Sequence, residues 1–426
     1  MSPLVFMSAR NLARNRRRTL LAMGAVVVGL LALTVLRGFV NSVQQAQLNT
    51  TLLGTTGMLQ VHRTGYMKNV LSNPLDLAFE DSTELRENIL TTAHVSSLAP
   101  RLQFSGSISV SEPMGTDLAS AGEAKTTFLT ANAVDPELDK KTLPQQYEWL
   151  IDGEMFPRSD ALALVVHRDI AGPLGVENIQ TNLNQPRELW PVLLAPDRDG
   201  SLSGEAFQIS GLLGSAVPTD KRLALAPLKS VQKLLKMENQ VTEYVVRLTD
   251  VVHSEAVQRE LQRRLGSQFE ISRWDEIVPF IKDLLSNLTN IFDIISGIFL
   301  LVVMLGIINS MFMNVLERVR EIGTMMAIGV KQRAILLLFV FEGVFLGALG
   351  AALGLLLGAA VVQVMALVGI PISAPGSSLK FILRPFLTFD FIAIAFSFTT
   401  VGAALVSVWP AWRASRLRPV EALAAI

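Results

Sequence analysis

The sequence predicts an α-helical membrane protein with four transmembrane helices, plus a large external α+β domain between helices 1 and 2 that is carried on helical stalks. Three observations lead there. The 426 residues are 50% hydrophobic and only 17% charged, against about 25% charged in an ordinary soluble chain. The charge is unevenly placed: Met1 to Arg37 holds 6 charges, all basic, Gly38 to Asp283 holds 53, and Leu284 to Ile426 holds 15. Net charges of +6, −9 and +3 set a polar, acidic middle between apolar, basic ends. Finally, four uncharged runs are long enough to cross about 30 Å of hydrocarbon as helices. This pattern excludes a simple soluble enzyme. An acidic polar segment repels phosphates, so nucleic acid is not an expected partner.

Residues 1–18 form a basic arm containing Arg10, Arg14, Arg16, Arg17 and Arg18. Residues 19–40 form the first span, built on the run Thr19 to Leu36. At 18 residues this run exceeds a usual signal-peptide core and lacks a small-x-small cleavage site, so it reads as an uncleaved anchor. Residues 41–283 form the external domain with its stalk ends. Strands are expected at Gly57–Val61, Ser107–Val110, Thr127–Thr130, Ala161–Val166, Val192–Ala195, Phe207–Leu212 and Thr242–Leu248, where apolar residues alternate or β-branched residues cluster. Leu228–Lys236 and Ser254–Leu265 read as helices with charged outer faces, giving an α+β domain. The proline- and glycine-bearing stretch Thr142–Phe156 is expected to separate two subdomains.

The ends of this domain carry helical stripes. After Trp274, residues Ile277, Phe280, Ile281, Leu284, Leu285, Leu288 and Ile291 recur at helical spacing straight into the second span. Val40, Val43, Ala46, Leu48 and Leu52 extend the first span in the same way, so two rigid stalks are expected. The second span occupies 284–316, a cytoplasmic loop 317–333, the third span 334–368, an external loop 369–390, the fourth span 391–412 and a cytoplasmic tail 413–426. Pro371 and Pro375 end the third helix inside the 37-residue apolar run Gly343–Leu379. Arm, loop and tail together carry twelve Lys and Arg beside the spans, against Lys380 and Arg384 opposite. The positive-inside bias therefore places both termini in the cytoplasm.

Catalytic chemistry is not expected of this chain. Without cysteine there is no disulfide, thiolate metal site or cysteine nucleophile. The sequence holds no G-x-x-x-x-G-K-[ST], no H-E-x-x-H and no G-x-S-x-G, and His62, His94, His167 and His253 stand apart. No metal site or cofactor is expected, and any ATP is hydrolysed elsewhere.

The informative region is Asn314–Gly358. Glu317, Arg318, Arg320 and Glu321 precede Gly323 and Gly329, with Ile322, Met325, Met326 and Ile328 among them. Such a short amphipathic helix inserts an apolar knob into a partner while its charges fix orientation. Glu342 lies inside the third apolar run, where an unpaired carboxylate costs several kcal/mol, so it is expected to meet a basic group from another helix. Gly343, Gly347, Gly350, Gly354 and Gly358 recur every three or four residues as a small-residue face for helix packing.

The run E-R-x-R-E-I-G-x-x-x-A-I-G at Glu317–Gly329, F-x-x-E at Phe339–Glu342, the glycine-rich third span and the ending W-P-A-W-R-A-S-R-L-R-P-V-E-A-L resemble the FtsX-like permease domain. L-A-P-R at Leu98–Arg101, A-V-D-P at Ala133–Pro136 and the W-x-E of Trp274 and Glu276 resemble the periplasmic core domain of the MacB–LolC/LolE family. The resemblance covers nearly the whole chain and implies a permease subunit of a type VII ABC transporter in a bacterial inner membrane. Its periplasmic domain moves when a partner ATPase, which binds ATP and Mg, hydrolyses ATP. Glu317, Arg318, Glu321, Gly323 and Gly329 match the family's coupling loop; Met326 stands where a basic residue is common. The sequence begins a few residues before its first span, so on that point it resembles the split LolC/LolE arrangement. Implied partners are a separate ABC ATPase subunit, a second permease copy or paralogue, membrane lipid, and a periplasmic lipoprotein or carrier. Lipoprotein release or export of an amphiphile is the implied function. An FtsX-like mechanotransducer that regulates an external protein without transport is the alternative, and a membrane-anchored external enzyme a third.

Overall fold

The computed structural model describes residues 16–69, 74–110, 125–176, 179–214, 221–372, 379 and 381–416. The basic arm before Arg16 and the tail after Arg416 lie outside them. The chain divides into two compact units, a helical unit of Met1–Gln45, Leu284–Ile370 and Ile382–Ile426, and an inserted unit of Ala46–Asp283 with Pro371–Phe381.

Four long helices are apolar enough to cross a membrane among the described residues. They are α1 (Arg16–Thr50), α2 (Pro279–Glu317), α4 (Gln332–Val368) and α5 (Phe389–Ser415), with the short α3 (Val319–Ala327) between α2 and α4. At 35, 39 and 37 residues, α1, α2 and α4 exceed the roughly 20 residues a bilayer requires. Inside the helical unit, Val26, Leu30 and Leu33 of α1 pack with Phe292, Val303 and Ile307 of α2, Leu346 and Ala351 of α4, and Ala403 of α5. Leu301, Leu356 and Leu405 point outward, as a lipid-facing surface requires.

The inserted unit is built on one eleven-stranded sheet. Its strands are β1 (Leu59–Arg63), β2 (Val95–Val110), β3 (Lys125–Val134), β4 (Leu150–Gly153), β5 (Ala163–His167), β6 (Val192–Pro196), β7 (Leu202–Ala206), β8 (Gln208–Leu213), β9 (Leu223–Pro227), β10 (Glu243–Leu248) and β11 (Phe269–Arg273). The order is β11-β1-β10-β2-β3-β9-β5-β8-β4, with β6 on β2 and β7 on β6. Most neighbours are antiparallel, while β9–β3 and β5–β8 are parallel. Side chains alternate across a strand. Val61, Leu102, Phe104, Ala131, Ala133, Tyr244 and Val246 therefore share one buried face and form the core.

Two expectations are corrected. The stretch Thr142–Phe156 does not divide the domain: it holds the helix Pro144–Glu148 and strand β4, which pairs with β8 in the same sheet. Nor does one helix run from Trp274 into the second span. Trp274–Ile277 is a separate turn, Val278 leaves the helical region at φ −125° and ψ 69°, and α2 starts afresh at Pro279. Proline suits a first helical position and steers the residue before it out of the helix. The first stalk also ends differently, since α1 widens into a π turn over Thr51–Thr55.

Candidate functional site

α2 stops at Glu317 because Arg318 adopts φ −105° and ψ 16°. α3 then runs to Ala327, and the chain turns at Gly329, whose φ of +93° is left-handed and costs glycine nothing. At that first corner the Arg318 guanidinium donates from Nε to Glu321 Oε2 at 2.8 Å, and its Nη1 lies 3.5 Å from Glu342 Oε2. It also sits 5.7 Å from the centre of the Phe339 ring. Glu342 is buried, so the charge that faces it inside the bundle comes from the α2–α3 corner.

The apolar side of α3 turns toward its own chain. Ile322 is fully buried with Val315, Ile335, Phe339, Ala411 and Ala414, and Met325 and Met326 pack against that cluster. This corrects the expectation for Ile322 as part of the knob offered to a partner, because closing the loop against α4 and α5 consumes it, whereas Met325 and Met326 stay half-buried at the edge of that cluster. Ile328 is the apolar side chain left outside, at 76% exposure, on a surface with exposed Glu317, Arg320 and Thr324. Gly323 is buried with Ile322.

The glycine face of α4 serves two neighbours. Gly343 and Gly347 abut Ser407 and Ala403 of α5, where an added methyl group would overlap. Gly350, Gly354 and Gly358 meet α1, and a Cβ at these positions would lie 2.8 Å from Val26 Cγ1, 2.9 Å from Leu30 Cβ and 2.6 Å from Thr34 Cβ. In the stalk set, Ile281 is buried, Leu284 and Leu285 are half-buried, and Phe280 is 71% exposed. Ile277 belongs to the separate turn. Gln44 of α1 donates from Nε2 to Leu285 O at 3.2 Å and Thr289 Oγ1 at 2.8 Å, which ties α1 to α2.

Sequence reading missed a polar row on the second face of the inserted sheet. His62 of β1 pairs across to Glu243 of β10, which pairs across to Arg101 of β2. All three are buried. Arg101 Nε donates to Asp139 Oδ1 at 2.8 Å, Nη2 to Gln146 Oε1 at 2.7 Å, and Nη1 to the carbonyl of Thr55 in the π turn at 3.2 Å. Burial pushes the Glu243 carboxyl up to about 7, although the Arg101 charge pulls the other way. Burial likewise pulls His62 down to about 4. The His62 ring stacks on Tyr66, and its Nδ1 and Nε2 lie 3.3 Å from Thr242 O and 3.1 Å from Gln60 Oε1. The available signal was Arg101 inside the short run Leu98–Leu102 of β2, and Glu243 at the head of the run Glu243–Val246 of β10.

Four long apolar helices with a large α+β domain inserted after the first define a multi-pass membrane protein. Residues 19–264 match the MacB-like periplasmic core domain and residues 294–419 the FtsX-like permease C-terminal region. The chain belongs to this MacB-like, FtsX-like permease family of ABC transporters. It is 26% identical over 427 residues to a macrolide export ATP-binding/permease protein MacB of Nitrobacter winogradskyi, covering 97% of this chain and 59% of that protein. It is 27% identical to the MacB of Bartonella henselae, covering 96% and 57% respectively. The chain thus spans less than three-fifths of the length of these relatives. The solved periplasmic region of MacB from Actinobacillus actinomycetemcomitans aligns with 56% of this chain and 98% of its own, at 11% identity and a TM-score of 0.35.

Proposed function

We propose that this chain is the permease subunit of a type VII ABC transporter in a bacterial inner membrane, working as a homodimer or with a paralogue. A separate ATPase subunit binds ATP and Mg, and its hydrolysis cycle is delivered to the periplasmic domain, where it drives release of a lipoprotein or export of another amphiphile. One observation carries this reading. α3 presents Ile328 and charged neighbours outward while Ile322 and the Arg318–Glu342 pair lock it to α4, so a push on α3 reaches a span directly.

Ile328→Asp tests it. A charge buried in an apolar protein contact costs several kcal/mol, so co-purification with the ATPase should fall at least tenfold and ATPase stimulation should disappear. Ile328 is exposed in this chain, so membrane insertion and thermal stability should persist. Unchanged co-purification and stimulation would sink the assignment.

A further inference from the structure

A cavity of about 840 Å³ lies on the polar face of the inserted sheet. Glu243 lines it, at 5% exposure. The three arms of Arg101 are already taken by Asp139, Gln146 and Thr55, and among the described residues no hydrogen bond reaches the Glu243 carboxylate. Two further groups on the lining lack partners, Asn132 Oδ1 and Gln146 Nε2. A buried carboxylate without a donor is costly, and here it is joined by one free acceptor and one free donor. The lining also carries apolar side chains: Leu223 of β9 on the sheet itself, and Ile277 and Phe280 from the segment that follows β11. Arg222 also lines the cavity, but its side chain is exposed to solvent.

We propose that this cavity binds a small amphiphile bearing one protonated amine. The ammonium pairs with Glu243, a hydrogen-bonding group lies between Asn132 and Gln146, and the apolar body rests on Leu223, Ile277 and Phe280. Thr51 and Thr55 of the π turn and Val278 of the stalk break border the same space. An occupant therefore touches the segment that follows α1 and the segment that precedes α2. The proposal stands whether such a ligand is cargo or regulator, because binding needs no ATPase.

The test uses the purified full chain in nanodiscs with no ATPase present. 4-Phenylbutylamine and the matched neutral alcohol 4-phenylbutan-1-ol are titrated by ligand-observed NMR. The amine should bind at least tenfold more tightly than the alcohol, and Glu243→Gln should erase that difference without weakening the alcohol. Equal binding of the two probes, absence of binding, or an unchanged amine affinity in Glu243→Gln would overturn the proposal. A second measurement covers the case in which Glu243→Gln does not fold. In this cysteine-free chain, Asn132→Cys supplies a single thiol on the cavity wall. It should react with cationic 2-aminoethyl methanethiosulfonate at least tenfold faster, relative to neutral methyl methanethiosulfonate, than a surface thiol at Val252→Cys does. 4-Phenylbutylamine should protect it where the alcohol does not. An unreactive thiol, no preference for the cationic reagent, or equal protection by both probes would also overturn the assignment.

Discussion

Glu243 and His62 face each other across β10 and β1, and their titrations push the stability of the inserted domain in opposite directions. Unfolded, Glu243 ionises near 4.5; folded, burial raises it to about 7. Between those values the folded chain holds a proton that the unfolded chain has released, so this contribution to stability declines as pH rises from 4.5 to 7. For His62, lowered by burial from 6.5 to about 4, stability is lost as pH falls from 6.5 toward 4. The two slopes offset one another in the native chain. His62→Asn should therefore leave a domain that melts higher at pH ~5 than at pH ~8, and Glu243→Gln one that melts lower at pH ~5. Identical pH responses of the two variants in thermal melts of the full chain would contradict this opposition. Arg101 answers to a different rule. Its pair with Asp139 is fully buried, so Arg101→Ala strands a carboxylate at a cost of about 3–5 kcal/mol, readable as a steep loss of folded, membrane-inserted chain on expression. Asp139→Ala should be comparably damaging.

Among the elements, α4 is the one whose surface has least room to vary. Gly354→Leu forces side-chain volume against the Leu30 Cβ and the Val27 carbonyl of α1. Overpacking of that kind costs about 1–3 kcal/mol or more, and the detergent-solubilised protein should lose thermal stability accordingly; Gly329→Ala, at a loop position with open space but positive φ, should cost less. In α2, a proline at Ile281 removes the Ile281 N–H bond to Val278 O at 3.0 Å, but it falls in the first turn, just after the natural break at Val278 and Pro279, with no full preceding turn to clash with, and is therefore milder than one deeper in the helix. Leu288→Pro lies well inside the helix, where it removes a hydrogen bond and clashes with the preceding turn at about 3 kcal/mol or more. If α2 transmits force, Leu288→Pro should retain ATPase binding and basal hydrolysis while abolishing export, and Ile281→Pro should be far milder. Full export by Leu288→Pro, with the helix break verified, would rule out the lever.

The element scale is also where sequence reading was strongest and where it ran out. The long helices were legible because each needs only an uncharged run, and Ser254–Leu265 because its period and its glycine stop are local. Strand positions such as Val192–Ala195 were legible from alternation, but β2 extends twelve residues upstream of the expected Ser107 start because its pairing partners β10 and β3 lie far along the chain. The alternate residues Gln60, Glu243, Gln103 and Asn132 read locally as a solvated face. Their enclosure by the π turn and by the Ile277–Ile281 segment is tertiary, and no local period reports it. Ile322 was misassigned for the same reason: amphipathicity reveals that a helix has an apolar side, not whether its own chain or another molecule covers it.

At the scale of the whole molecule, the basic asymmetry predicts that the inserted domain and α3 lie on opposite sides of the membrane. Single cysteines at Val252 and Thr324, both exposed, test this: in intact spheroplasts an impermeant maleimide should label Val252→Cys and spare Thr324→Cys. The reverse pattern would invert the topology. The sheet order has a further consequence, for synthesis. β1 is flanked by β10 and β11, and its Arg63 pairs with Phe269, 206 positions later. A ribosome adding roughly 5–20 residues per second needs roughly 10–40 s to cover that interval, and throughout it the nascent β1 presents bare strand edges that invite wrong partners. β11 ends at Arg273, six residues before α2 begins at Pro279. Completion of the sheet and arrival of the next membrane-crossing segment thus fall within a few residues of each other during synthesis.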